Sequence, residues 1–414
     1  MQRILPFPGI RPSKALADKV AILPNNLMTE DARREAAIRN PISFAHVIKP
    51  RINFPDIAEK TDQRLFDFAA EYFRKLLNDK TLKQDEMNCF YIYRQTLNGR
   101  SQTGVVARYH ISEYQNGNIK KHENTRSEKE SENVKQILAT GIQSNPVFLA
   151  YNAVPAIDTY INTLTAETPE YHFKSDFNVY HTLWVISNAI DVQKLSLLLN
   201  EHIAVSYIAD GHHRAASASL VADIKKRENT LHCGEEAYNY LHTCLFPANQ
   251  LKIYDYNRII KDLNGLSSEE FIKRVAEKFE VTLSELNPYV SQRSHEMGMY
   301  FDGKWYKIKA REGTYTQDPI GVLDVHILQE NLLGPILGIS DPRTDKRIDF
   351  LEGTKGGAAL EKKVSKGKSA VAFAVYPVSM QQLFDVSDAG LIMPPKSTWF
   401  EPKLLSGLVT YKML

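Results

Sequence analysis

The stretch VSYIADGHHRAASASLVADIKKRE, residues 205–228, constrains this chain more than any other. An apolar strand pattern ends at Ala209, a polar turn follows, and a helix pattern starts near His212. Gly211 lets the backbone turn sharply and approach a ligand closely. The small residues Ala215, Ala216, Ser217, Ala218 and Ser219 keep the helix thin, while Leu220, Val221 and Ile224 supply its buried face. A turn of this kind needs the glycine and one capping side chain. Asp210, His212, His213 and Arg214 together exceed that need.

The surplus reads as chemistry. A helix that opens at the turn points free backbone N–H groups outward, and its dipole favours an anion there. Arg214 can fork onto phosphate oxygens. His212 and His213 can donate to phosphate or move a proton near neutral pH. Asp210 can position Mg²⁺ or one of the histidines.

With 414 residues, the chain exceeds one typical core and suggests two or three domains. A formal net charge of +2 implies no broad basic face, so no nucleic-acid partner is expected. The three cysteines, Cys89, Cys233 and Cys244, suit a reducing compartment better than a disulfide framework. No signal-peptide pattern opens the sequence, and no apolar run reaches membrane-spanning length. The expectation is a soluble cytoplasmic protein with no membrane partner; homo-oligomerisation is left open.

Strand and helix patterns alternate throughout, which predicts an α/β or α+β fold. Residues 1–88 read as an extended and helical segment. Thr29 caps a helix in TEDARREAAIRN, and residues 61–80 form an amphipathic helix with Leu65, Phe68, Ala69, Tyr72, Phe73, Leu76 and Leu77 inward. Residues 89–262 form the core, opening with a hairpin around Asn98-Gly99. Residues 263–414 form a C-terminal α/β domain, with a second hairpin at Asp302-Gly303 and a proline-stiffened, lid-like tail.

Other stretches add candidates. KKHENTR, residues 120–126, places His122, Glu123 and Arg126 at a second strand-to-helix change, and a carboxylate beside a histidine is the minimum set for deprotonating a hydroxyl. In MPPKSTWFEPK, Lys396 suits a phosphate and Trp399 could stack on a base or cover a site, unless the tail simply packs. Arg258 could neutralise a substrate carboxylate. His181 and Trp184 could face the same cleft. His232, Cys233, His242 and Cys244 match no compact zinc template. GTKGG at 353–357 is too short for a P-loop.

IADGHHR resembles the phosphate-gripping turn of the ParB/sulfiredoxin superfamily, in which free-serine kinases carry the same Asp-Gly-His-His-Arg run. More of the chain resembles a bacterial and archaeal family of unknown function with that turn. The likeness runs through PFPGIRP (6–12), KKHENTR (120–126), ADGHHR (209–214), LKIYDYNRII (251–260) and MPPKSTWFEPKLLSGL (393–408). That family usually shows Pro-Tyr-Asp-Val where this chain has Pro24-Asn25-Asn26-Leu27. An amide at Asn26 can hydrogen-bond but cannot take a proton or hold a metal as a carboxylate does.

The resemblance implies a ParB/sulfiredoxin-like nucleotide-binding core and a glutamate base, for which Glu123 is the candidate. The expected activity is phosphoryl transfer between a nucleotide (ADP or ATP, with Mg²⁺) and a small hydroxylated metabolite, serine or phosphoserine, in either direction. The alternative is a non-catalytic nucleotide-binding switch. Expected catalytic residues are Glu123, His122, Asp210, His212 and His213. Gly211, Arg214 and Lys396 are expected on phosphate, Arg126, Arg258 and Trp399 on substrate, and Asp210 on metal.

Overall fold

A computed structural model describes residues 3–23 and 29–414. The altered stretch around Asn26 lies outside the described residues. The chain divides into two compact units, one of Met1–Leu251 with Pro402–Leu414 and one of Lys252–Glu401.

The first unit is built on a nine-stranded mixed sheet. Its strands are β1 (Ile4–Leu5), β2 (Phe90–Leu97), β3 (Arg100–His110), β4 (Ile119–Lys120), β5 (Val147–Tyr151), β6 (Tyr171–Lys174), β7 (Tyr180–Ile186), β8 (Ser206–Asp210) and β9 (Tyr240–Pro247). The spatial order is β4-β8-β5-β9-β3-β2-β7-β6, with β1 also on β3. Two pairs are parallel, β4 with β8 and β5 with β9; the others are antiparallel. Asn98 and Gly99, at φ 50° and 79°, turn β2 into β3 as the sequence predicts. The register of β8 on β5 shifts between Ile208 and Asp210, at the end where the chain turns.

Three helices matter for the site: α1 (Gln63–Asn78), α2 (Ser127–Thr140) and α3 (His212–Glu228). Asp62 caps α1. The helix inserts Leu65, Phe66, Ala69, Phe73 and Leu76, whereas Phe68, Tyr72 and Leu77, also expected inward, are only half-buried. Phe73 and Leu76 join Val20, Phe44 and Ile142 in one cluster, so partners distant in sequence decide which edge of the stripe goes deepest. Thr29 caps Glu30–Arg39 by accepting the Ala32 N–H.

His181 and Trp184, read from the sequence as facing a cleft, are both buried on β7. His181 is buried with Nδ1 2.7 Å from the Tyr93 hydroxyl, and the Trp184 indole donates to the Glu167 carbonyl at 2.8 Å. They point to opposite faces of β7 because side chains three positions apart on a strand must. The segment from Pro402 onward is packed. Leu404, Leu405, Leu408, Val409, Tyr411 and Met413 are buried, and Tyr411–Lys412 pairs with Ile142–Gln143.

The second unit carries a six-stranded antiparallel sheet: β10 (Tyr256–Ile260), β11 (Phe279–Leu283), β12 (Glu296–Phe301), β13 (Lys304–Ala310), β14 (Ile348–Glu352) and β15 (Val371–Ala374), in the order β11-β13-β12-β15-β10-β14. Asp302 and Gly303 form the expected turn between β12 and β13. Ser267 caps the helix Ser268–Lys278. Among the described residues, no helix is long and apolar enough to cross a membrane.

Candidate functional site

Strand β8 ends at Asp210, Gly211 takes φ 110° and ψ 28°, and α3 begins at His212 with no side chain capping it. The glycine is required twice over. An L-residue is disfavoured at that φ, and a Cβ there would stand 2.8 Å from Arg214 Nε and 2.9 Å from Cζ and Nη2. Arg214 uses the space. Its guanidinium folds back over the turn and donates to the Asp210 carboxylate and to the Pro146 carbonyl.

Asp210 Oδ1 accepts a second cation, Lys403 Nζ, at 3.1 Å. Burial opposes ionisation of Asp210, but Lys403 and then Arg214 outweigh it and hold the carboxyl well below the usual carboxylate range. Arg214 and Lys403 thus share this one carboxylate beside the helix opening. Arg214, expected to aim its fork at a phosphate, therefore contributes charge and position, with two of its nitrogens engaged inside the protein.

The histidines stack behind this pair. His212 is 4% exposed, and its Nε2 accepts the His122 backbone N–H at 3.4 Å. Its Nδ1 lies 3.8 Å from Glu123 Oε2. The His122 ring meets it edge-on, with centroids 4.6 Å apart. His122 is itself buried, and its Nδ1 has no hydrogen-bond partner among the described residues. Burial holds both imidazoles neutral, pushing His122 down to about 4 and His212 well below the ordinary histidine value, with His122 adding to the effect on His212. His213 Nε2 accepts the Arg126 N–H at 3.1 Å, and burial followed by the Arg126 charge lowers this residue too.

These contacts assign the protons. An Nε2 that accepts a backbone N–H leaves the neutral ring's hydrogen on Nδ1. In His212 that hydrogen faces Glu123, whose side chain is 52% exposed. A solvent-facing carboxylate with a neutral, immobile imidazole behind it is a competent base for a hydroxyl.

Glu123, His122, Arg126, Asp210, Gly211, His212, His213 and Arg214 thus come together in the first unit. Arg258, Lys396 and Trp399 lie in the second, gathered around Tyr256. Buried Arg258 donates to the carbonyls of Tyr256 and of Pro395 (3.3 Å), and burial pushes it down to about 10. Lys396 Nζ sits 5.3 Å from the Tyr256 ring centroid, and Trp399 packs edge-on against that ring at 5.5 Å. The Trp399 indole donates to Glu401 at 3.2 Å. Lys396 thus stands over the Tyr256 ring and Arg258 over the Phe350 ring, 5.5 Å from its centroid.

Mg²⁺ on Asp210 does not fit this arrangement. Both carboxylate oxygens already serve cations, and a divalent ion would meet the charges of Arg214 and Lys403 directly. Among the described residues, no three His, Cys, Asp or Glu side chains converge as a metal group. Sequence reading missed Lys403 and the Pro146 carbonyl as partners of the turn. The one available signal was a second lysine in the proline-stiffened tail.

The fold and the site define a mixed α/β protein whose principal sheet delivers a strand, through one left-handed glycine, into an uncapped helix ringed by titratable groups. Residues 4–326 match the family described as protein of unknown function (DUF1015), and the chain belongs to that family. Solved structures that the chain is similar to include a free serine kinase in complex with AMP, 14% identical with a TM-score of 0.36, over 73% of this chain and 90% of that one. A variant of the kinase in complex with ADP is 15% identical with a TM-score of 0.37, over 73% and 91%. A conserved hypothetical protein from Pyrococcus furiosus is 14% identical with a TM-score of 0.36, over 73% and 94%. No curated protein matches the chain.

Proposed function

We propose that this protein transfers a phosphoryl group between a nucleotide, ADP or ATP, and a small hydroxylated metabolite, with serine or phosphoserine favoured. The observation that carries this reading is the exposed Glu123 carboxylate 3.8 Å from buried, neutral His212 at the open start of α3. The ParB/sulfiredoxin-like turn read from the sequence supplies the phosphate-binding part of the reading.

In this reading the nucleotide phosphates meet the first-turn N–H groups of α3 beside Arg214 and Lys403. Glu123 takes the proton of the acceptor hydroxyl. The oxygen forms its bond to phosphorus while the bond to the nucleotide's bridging oxygen breaks, and that oxygen leaves with the electron pair. His212 lies behind Glu123 and stays neutral throughout. Phosphoryl transfer depends mainly on positioning and charge, which this turn provides. Mg²⁺ would arrive on the nucleotide phosphates, not on Asp210. Phosphoserine hydrolysis would use the same groups with water as acceptor.

The test is ³¹P NMR of the purified protein with ADP or ATP, Mg²⁺ and L-serine, and in parallel with phosphoserine. Turnover should fall by about 10²–10⁴ in Glu123→Gln while nucleotide binding persists, and Arg214→Ala should lose both. Nucleotide binding without turnover on either substrate would replace the enzyme by a nucleotide-operated switch. A melting temperature that no nucleotide moves would remove both readings.

A further inference from the structure

Two open recesses meet at Arg108 within the first unit, with volumes of about 390 and 340 Å³. Both lie at the lower end of the usual range for small-molecule sites. Arg108 and Asn88 line both of them. Pro6, Val192 and Gln193 add to the larger, and Lys412 brings a second cation to the smaller. Among the described residues, no Asp or Glu lines either recess.

Arg108 stands on β3 between Leu5 of β1 and His242 of β9, and its side chain is half-buried. The guanidinium lies over the Tyr240 ring, 4.3 Å from the centroid, a position that cation–π attraction favours. Its five N–H donors remain to be satisfied around the edge of the group. Little inside the protein uses them. Nε is buried with no hydrogen-bond partner among the described residues. The Tyr411 hydroxyl beside the group is neutral and itself donates to the Ala237 carbonyl at 2.7 Å. Glu235 accepts from the Tyr240 hydroxyl at 3.2 Å, and no carboxylate pairs with Arg108 among the described residues. A half-buried charge with no counter-ion is costly, and an anionic ligand would bring both the charge and the missing acceptors.

We propose that these adjoining recesses bind a small organic acid, whose carboxylate or phosphate takes the Arg108 guanidinium through two oxygens. Two oxygens on one centre match two parallel N–H groups of the planar fork. Asn88, on the wall of both recesses, supplies an amide N–H beside it. Pro6 and Val192 offer apolar surface to the carbon skeleton, and Lys412 favours a second negative group. The lack of acidic lining leaves an anion unopposed. None of the lining residues belongs to the turn at 210–214, so this site is independent of the phosphoryl transfer proposed above.

The experiment is calorimetric titration of the full-length protein, at constant ionic strength, with succinate, methyl phosphate and the neutral succinamide. The wild type should bind succinate or methyl phosphate with a dissociation constant at or below about 1 mM, the worth of two charge-assisted hydrogen bonds. The tighter of the two identifies the anion, and succinamide should bind at least about ten-fold more weakly. Arg108→Gln should weaken the anions by at least about ten-fold, and Arg108→Lys, which keeps the charge but loses the fork, should fall between. Gln193→Glu keeps the fold readable, because it changes an exposed helix position and sets a carboxylate in the larger recess. It should weaken the anions and leave succinamide unchanged. No binding of either anion up to about 10 mM, succinamide as tight as succinate, or anion affinity indifferent to both Arg108→Gln and Gln193→Glu would overturn the assignment.

Discussion

Replacing Gly211 with alanine tests how the turn is held. At φ 110° an L-residue is strained by about 1–2 kcal/mol. The new methyl would also stand 2.8–2.9 Å from three atoms of the Arg214 guanidinium. That group is the far end of a flexible side chain, so it can move, but only by releasing Asp210 and the Pro146 carbonyl. A buried charge-assisted hydrogen bond contributes about 1.5–3 kcal/mol. Asp210 is 38% exposed, and solvent screening reduces the loss here to about 1 kcal/mol. The sum is about 2–3 kcal/mol, or about 5–10 °C in melting temperature for a unit of this size. Gly117→Ala is the control, since Gly117 has φ 80° and a Cβ there would meet nothing within 4 Å. Thermal and urea unfolding should show Gly211→Ala costing about twice as much as Gly117→Ala, and the excess should vanish in an Arg214→Ala background. Equal costs at the two glycines, or an excess indifferent to Arg214, would refute the reasoning.

Three further outcomes follow from the charges. Asp210 is depressed in the fold, so its stabilisation is complete above the unfolded value near pH 4 and is lost as pH falls through the lower folded value; Lys403→Met should raise its titration midpoint, read by ¹³C NMR of the carboxyl. His122, pushed down to about 4, takes up a proton less readily folded than unfolded, so stability falls as pH drops from about 6.5 towards 4, by up to about 3 kcal/mol. Urea unfolding at pH 7.5 and pH 5 should show that difference shrink in His122→Gln. In the second unit, burial raises Asp324 to about 7 and its Oδ2 has no hydrogen-bond partner among the described residues. Its ionisation therefore destabilises the fold progressively between about pH 4 and 7, and Asp324→Asn should flatten that slope in a pH series of thermal melts.

Signals confined to a few neighbouring residues were legible. The strand, glycine and helix at 206–228 were read within a residue, because strand-forming side chains, a left-handed glycine and a helical run are local preferences. The Asn98-Gly99 and Asp302-Gly303 turns were legible for the same reason. Grouping His122, Glu123 and Arg126 with the 210–214 turn was a chemical expectation, and the parallel pairing of β4 with β8 brings them together. The partners of Asp210 were not legible. Lys403 lies 193 residues away, and no local preference states which lysine will fold back onto which carboxylate.

The sequence by itself determined the elements of the site: a strand end, a glycine that alone tolerates the turn, and titratable side chains on either side. The tertiary structure decided what those side chains do. It spent the Arg214 fork on Asp210 and Pro146, brought Lys403 to the same carboxylate, and buried two imidazoles until they stayed neutral. The physical reason is range. Backbone preferences act over a few residues, whereas hydrogen-bond satisfaction and the cost of burying charge depend on groups that meet only when the sheet is assembled.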